Sequence, residues 1–289
     1  MFKSYTIKND TLTVRGIDRL DLARSFSCGQ SFRWRQEGDA FYGAAFGKAA
    51  RARQTGDTLE LWPCKAEDAL LWLRYFDLER DYAALEDSLC ADEALCDCVP
   101  YATGIRVLNQ EPFETLITFI ISANNNTGRI AGIVERLCER AGEPVALNGR
   151  KVRLFPTPEA IASLTEAELA LIGAGYRSPY IKESARRVAQ GFELETLRGM
   201  PLGEARSALQ ALPGVGPKVA DCVLLFSLGH TDAFPVDVWI ARAMRTIYFG
   251  GDAPKKRQLE EAIRALGAQS GIVQQYIFHY ARQAGLGKK

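Results

Sequence analysis

Residues 212–240 read Leu-Pro-Gly-Val-Gly-Pro-Lys-Val-Ala-Asp-Cys-Val-Leu-Leu-Phe-Ser-Leu-Gly-His-Thr-Asp-Ala-Phe-Pro-Val-Asp-Val-Trp-Ile. A helix ending near Ala211 is joined by Pro213-Gly214-Val215-Gly216 to a second helix with Pro217 in its first position, where the missing N–H costs nothing. The glycines permit backbone angles that other residues resist, and the unpaired N–H groups of a helix start attract an anion. Two readings of this turn stand side by side: an ordinary tight link between helices, or a cradle for a backbone phosphate of nucleic acid, which needs no base preference. Lys218 lies in the first turn of the second helix, where the positive end of the helix dipole disfavours an ammonium. Partial desolvation would favour the amine form further and make it a nucleophile. Cys222 follows one turn later on the same face, beside the apolar stripe Val219, Val223 and Phe226. Asp237 stands behind Pro235-Val236 and caps the helix that begins at Val238, which taken alone is a structural role.

The chain around this stretch has 289 residues, 47% hydrophobic and 25% charged, enough for a sizeable core and about two domains. Its most apolar stretches, Leu116 to Ile121 and Val223 to Phe226, fall far short of the roughly 20 residues that span a bilayer. The first residues lack the apolar core and cleavage site of a signal peptide, so an intracellular, reducing compartment is expected. Seven cysteines without paired C-x-x-C spacing suggest neither a disulfide framework nor a four-cysteine zinc site. Two histidines rule out a multi-histidine metal centre. The net charge of +1 says little about a polyanionic partner. Its distribution says more: acids predominate from Lys65 to Asp97, whereas Arg129, Arg177, Arg186, Arg187, Arg242, Arg245, Lys255, Lys256, Arg257, Lys288 and Lys289 gather later.

Residues 1 to about 65 alternate with period two at Leu12/Val14, Phe32/Trp34 and Leu59/Leu61, with turn signals at Gly38-Asp39 and Gly56-Asp57, which predicts a small antiparallel sheet. From about residue 66 the period becomes 3.6. One helix carries Phe113, Leu116, Ile117 and Ile120; the next carries Ile130, Ile133, Val134 and Leu137 and stops at Gly142. A capping box, Thr165-x-x-Glu168, opens another, and Ser178 as N-cap with Pro179 opens a further one. The expected class is α+β, with a sheet-bearing N-terminal domain over residues 1–100 and an all-helical body over 101–289.

The glycine hairpin, Lys218 just after it and Asp237 behind a proline together resemble the helix-hairpin-helix, Gly-Pro-Asp superfamily of DNA base-excision glycosylases. The resemblance implies that Lys218 attacks the sugar C1′ and forms a Schiff base, the mark of bifunctional members. It implies that Asp237 stabilises the positive charge that develops on the sugar, and that Gly214 and Gly216 contact DNA. Four further segments are similar to the 8-oxoguanine DNA glycosylase family. In Cys28-Gly-Gln-Ser-Phe-Arg-Trp-Arg35 the carbonyl of Gly29 would accept the N7 hydrogen that distinguishes oxidised guanine. In Ser122-Ala-Asn-Asn-Asn-Thr-Gly-Arg129, Asn124 would fill the space left by the flipped base and Arg129 would read the orphaned cytosine. In Gly173-Ala-Gly-Tyr-Arg-Ser-Pro179, Tyr176 would wedge into the duplex and Arg177 would bond that cytosine, both pushed out from the body. In Gln274-Gln-Tyr-Ile-Phe278 the pair Gln274 and Phe278, at i and i+4, would contact the Watson–Crick edge and stack on the ring, with Cys222 on its other side.

Without the resemblance each of these segments has a plainer reading: a buried strand face, an interhelical turn, a packed tyrosine, a core-facing helix pair. The chain departs from the family at Trp239, where members often carry histidine, and at Pro217, where a small polar residue is common. No cysteine follows Cys222, so an iron–sulfur loop is not expected. No cofactor is implied beyond a structural monovalent cation, potassium or sodium, on the backbone carbonyls of Leu212 and Val215. The expectation is a monomeric, cytoplasmic bacterial enzyme that meets no membrane, binds double-stranded DNA and removes 8-oxoguanine, preferentially opposite cytosine. The alternatives are a related glycosylase for another damaged base and a non-catalytic DNA-binding module.

Overall fold

The computed structural model describes residues 1–286; Lys288 and Lys289 lie outside the described residues. Six strands, β1 (Ser4–Lys8), β2 (Thr11–Arg15), β3 (Arg35–Glu37), β4 (Ala40–Ala45), β5 (Lys48–Thr55) and β6 (Thr58–Trp62), form one antiparallel sheet in the order β1-β2-β6-β5-β4-β3. Register follows the alternation: Leu12 pairs with Leu61 and Val14 with Leu59, and all four side chains are buried on one face. That face is covered by Phe26 from the Leu22–Ser27 helix and by Trp72, Tyr75 and Phe76 around the Ala69–Tyr75 helix. Each such side chain contributes about 1.5–3 kcal/mol.

The Phe32/Trp34 alternation does not make a strand. Asp21 caps a helix over Leu22–Ser27, its side chain accepting from the Arg24 N–H, and the sheet resumes only at Arg35. Phe32 and Trp34 instead face different cores: Phe32 meets Phe119 of the helical body edge-on at 6.5 Å, and Trp34 stacks on Phe26 of the sheet domain at 4.6 Å. The segment between is pinned by buried Gln30. Its amide donates to the carbonyls of Ser25 (2.8 Å) and Arg106 (2.7 Å) and accepts from the Leu108 N–H (2.9 Å), in place of a strand ladder.

The regular elements among the remaining described residues are helices apart from one hairpin, β7 (Pro144–Leu147) and β8 (Arg150–Arg153), so the body is not entirely α. Its turn, Asn148-Gly149, has φ of 49° and 75°, the geometry that tightly connected antiparallel strands favour. Helices at Pro112–Ser122 and Thr127–Ala141 match the predicted stripes, and the second is followed by Gly142. The Thr165–Glu168 capping box forms, with Glu168 N–H donating to Thr165 Oγ1 at 3.2 Å and Thr165 N–H to Glu168 Oε2 at 2.8 Å. Ser178 is not an N-cap: a short 3₁₀ turn, Gly175–Arg177, runs directly into the Ser178–Ala189 helix, so no bare helix start is left to cap. Five cysteines are buried, whereas Cys90 is exposed and Cys96 half-buried.

The two cores are tied by Glu86, 3% exposed, which accepts from Tyr276 Oη (2.8 Å) and Arg19 Nε (2.7 Å). A single carboxylate thus links the last helix to the loop that follows β2.

Candidate active site

Helices from distant parts of the chain converge on one slot lined by Gly29, Lys218, Cys222, Asp237, Gln274 and Phe278. Lys218 and Cys222 come from the Pro217–Ser227 helix, Asp237 from the cap of Val238–Phe249, and Gln274 and Phe278 from Ser270–Ala284. The cavity is about 40 Å³, too small for a purine. The ring of Phe278 lies against Gly29, where φ is 85° and a Cβ would stand 3.4 Å from the ring. Admitting a base therefore requires Phe278 to move away from Gly29.

Lys218 is held from two sides. Its Nζ donates to Ser122 Oγ at 3.0 Å and lies 4.8 Å from the centre of the Phe119 ring. Ser122 Oγ gives its one proton to the Phe119 carbonyl at 2.7 Å, so only lone pairs remain for Lys218. Asp237 accepts the Ile240 N–H on Oδ1 at 2.8 Å; the cap thus fixes the carboxylate at the slot's edge through one oxygen. Burial pushes the Cys222 thiol up to about 11, against the opposing pull of Lys218, and the Cys28 thiol up to about 12. Both are neutral, apolar walls at physiological pH.

Gln274 is 4% exposed, and its amide is engaged by the protein: Nε2 donates to the Pro235 carbonyl at 3.1 Å and Oε1 accepts from Gln275 Nε2 at 2.8 Å. Ser122, Phe119 and Gln275 went unassigned in the sequence. Ser122 precedes the asparagine run and Gln275 adjoins Gln274, but one-dimensional spacing carries no signal that they meet Lys218 or the slot.

The hairpin separates the two glycines. Gly214 has φ of 80°, and a Cβ there would come within 2.7 Å of Tyr180, so both conformation and space demand glycine. Gly216 has φ of −88° with nothing within 4 Å of its would-be Cβ, so it was not chosen for an unusual backbone angle. It leaves the start of its helix without a side-chain cap and open to an approaching group. The turn is braced by Ser184 Oγ on the Pro213 carbonyl (2.8 Å) and by Arg206 on buried Asp221 (2.7 Å).

Of the three asparagines, two are spent on the backbone: Asn125 donates to the Ile121 carbonyl at 3.1 Å, and Asn126 caps the next helix through the Arg129 N–H at 3.0 Å. Asn124 is exposed with φ of 48°, a conformation asparagine tolerates. Arg129 is exposed, and Tyr176 is 58% exposed. Arg177, expected to project outward, is only 4% exposed. Its guanidinium lies 4.4 Å from the Tyr176 ring centre and donates to the carbonyls of Ala123 (2.9 Å) and Asn124 (3.0 Å), which follow the end of a helix and lack helical partners. Arg177 thereby ties the Tyr176 turn to the asparagine loop.

Among the described residues no group of three or more His, Cys, Asp or Glu is placed to hold a metal ion, and no helix is long and apolar enough to cross a membrane.

Residues 14–116 match the 8-oxoguanine DNA glycosylase N-terminal domain, and residues 117–269 match the HhH-GPD superfamily of base excision DNA repair proteins. A probable N-glycosylase/DNA lyase of Methanothermobacter thermautotrophicus is 35% identical over 231 residues, 73% of this chain and 72% of that protein. The structure of MBOgg1 with a low-affinity DNA ligand superposes with a TM-score of 0.94 at 36% identity, covering 98% of this chain and 100% of that one. A Clostridium acetobutylicum 8-oxoguanine glycosylase/lyase, bound to duplex DNA with cytosine opposite 8-oxoguanine, superposes with a TM-score of 0.93 at 35% identity, covering 98% and 99%.

Proposed function

The chain belongs to the 8-oxoguanine DNA glycosylase family of the HhH-GPD superfamily, and from that premise we propose how its slot works. It is a base-excision repair enzyme, a DNA N-glycosylase and abasic-site lyase that removes 8-oxoguanine. The observation that carries the residue assignment is the convergence of Lys218, Asp237, Gln274, Phe278 and Gly29 on one slot from distant parts of the sequence.

The damaged nucleotide leaves the stack and enters between Phe278 and Cys222, with Gly29 at its imidazole edge and Gln274 at its Watson–Crick edge. As the glycosidic bond lengthens, positive charge grows on the sugar, and the Asp237 carboxylate is its electrostatic complement. Lys218 must first lose its ammonium proton; its lone pair then bonds to C1′ while the electrons of the old bond leave with the base, which takes up a proton. Opening of the sugar ring breaks C1′–O4′, with O4′ taking the proton that the Lys218 nitrogen sheds, and gives the imine; water then takes a C2′ proton as the C3′–O bond breaks and the 3′ phosphate leaves by β-elimination. Asn124, Arg129, Tyr176 and Arg177 form the rim that meets the opposite strand, and Gly214 and Gly216 present helix-start N–H groups to a phosphate. For Arg177 to read a cytosine it must give up a carbonyl of the asparagine loop.

Further assignments belong to the same proposal. The carbonyls of Leu212 and Val215 would hold a monovalent cation at the hairpin; Leu212 keeps one lone pair beyond its bond to the Val215 N–H at 3.2 Å. A division into two domains is supported by the separate sheet core, whose continuous run reaches Leu78, whereas Tyr82, Leu85, Leu89 and Val99 pack with the helical core. A monomer is supported by a slot complete within one chain, and a bacterial, cytoplasmic setting is proposed with it. Strand cleavage on duplexes carrying 8-oxoguanine or 3-methyladenine opposite each of the four bases tests the function. Cleavage confined to 8-oxoguanine and fastest opposite cytosine is expected; preferential release of the alkylated base would contradict it.

A further inference from the structure

One buried group of the slot takes no part in the chemistry above. Gln275 is 3% exposed, lines the slot, and its Oε1 is buried with no hydrogen-bond partner. The orientation of this oxygen is set by a short directed chain. The Pro235 carbonyl can only accept, so Gln274 presents Nε2 to it at 3.1 Å. The Oε1 of Gln274 then faces Gln275 and takes its Nε2 at 2.8 Å, which leaves Gln275 Oε1 as the open end. Buried carbonyl oxygens are rarely left unpaired, since the loss of hydration goes uncompensated. An acceptor kept dry at the wall of a binding slot calls for a ligand that donates to it.

We propose that Gln275 is a specificity-determining residue whose Oε1 accepts a hydrogen bond from the 2-amino group of the flipped base. This rests on the reading of the slot as the 8-oxoguanine pocket. The Watson–Crick edge of that base carries two donors, N1–H and the 2-amino group. The amino group projects furthest from the ring and brings two hydrogens, one for Gln274 Oε1, which retains a lone pair, and one for Gln275 Oε1. A base lacking that group leaves Gln275 buried and unpaired and is rejected, because a site built around a hydrogen bond discriminates strongly against a ligand that cannot make it.

Single-turnover excision of 8-oxoguanine and of 8-oxohypoxanthine, the same base without its 2-amino group, each opposite cytosine, tests this. Wild type should prefer 8-oxoguanine at least about tenfold. Gln275→Met, close in length but unable to accept from the base, should bring the two rates within about threefold, chiefly by slowing 8-oxoguanine. The change in ratio cancels differences in how the two bases pair with cytosine, and any general loss of folded protein. Equal rates in wild type, or an unchanged preference in Gln275→Met, would overturn the proposal alone. A wild type that removes neither base yet cleaves at another lesion would overturn the 8-oxoguanine reading and this proposal with it.

Discussion

The slot and the rim of this protein are built on opposite principles. Of the slot residues, Lys218, Asp237 and Gln274 sit on helix starts and a helix face of a single core and are held by Ser122, a cap and the Pro235 carbonyl in turn, while Phe278 is the one movable wall, closed against Gly29. Apart from Arg129, in the first turn of the Thr127–Ala141 helix, rim residues sit on turns: Asn124 at positive φ, Tyr176 on a 3₁₀ turn, and Arg177 folded back onto the loop it joins. Groups that must be placed within fractions of an ångström are fixed before substrate arrives. Groups that must enter a duplex whose shape changes on binding are left on segments that can be re-aimed.

Substitutions can break this contrast, and the largest effect is expected at the nucleophile. Lys218→Gln should lower base excision by about 10³-fold or more, while gel-shift binding to the lesion duplex is retained; loss of binding as well would make Lys218 a structural residue. Asp237→Asn comes next. Asparagine caps a helix as well as aspartate, so thermal stability should hold while single-turnover excision falls about 10²–10³-fold, the scale of a lost electrostatic partner at a developing charge. A variant that melts early would mean the cap is the whole role. On the rim the two arginines should separate. Arg177→Ala leaves the Asn124 carbonyl unpaired and the Ala123 carbonyl with Tyr176 Oη alone, and should cost about 1–3 kcal/mol in denaturant unfolding, whereas exposed Arg129→Ala should stay within about 0.5 kcal/mol and lose only preference for cytosine opposite the lesion. Equal stability losses would refute the bracing role of Arg177. The smallest stability effect belongs to Gly216→Ala, which meets open space. Gly214→Ala, strained and clashing with Tyr180, should cost about 1–3 kcal/mol, a difference that melting curves would resolve.

Legibility in the sequence follows the same division. Sheet alternation, helix stripes, the capping box and the Asp237 cap are local patterns, and the structure carries them. The Phe32/Trp34 alternation misled because the segment between two cores borrows a period of two from its contacts rather than from a ladder. The β7–β8 hairpin had a legible signal in Asn148-Gly149, overshadowed by the helical period on either side. Arg177 was misplaced because its partners are main-chain carbonyls of a loop over 50 residues away, which composition does not reveal. The roles of Ser122 and Gln275 likewise emerge only when helices cross.

The central claim is that one amine in the slot carries the reaction. It is tested most directly by reducing the enzyme with borohydride on a duplex bearing 8-oxoguanine opposite cytosine, then mapping the adduct by peptide mass. The account predicts a single sugar adduct on Lys218. An adduct on another lysine or on the N-terminal amine, or base release with no adduct at all, would contradict it.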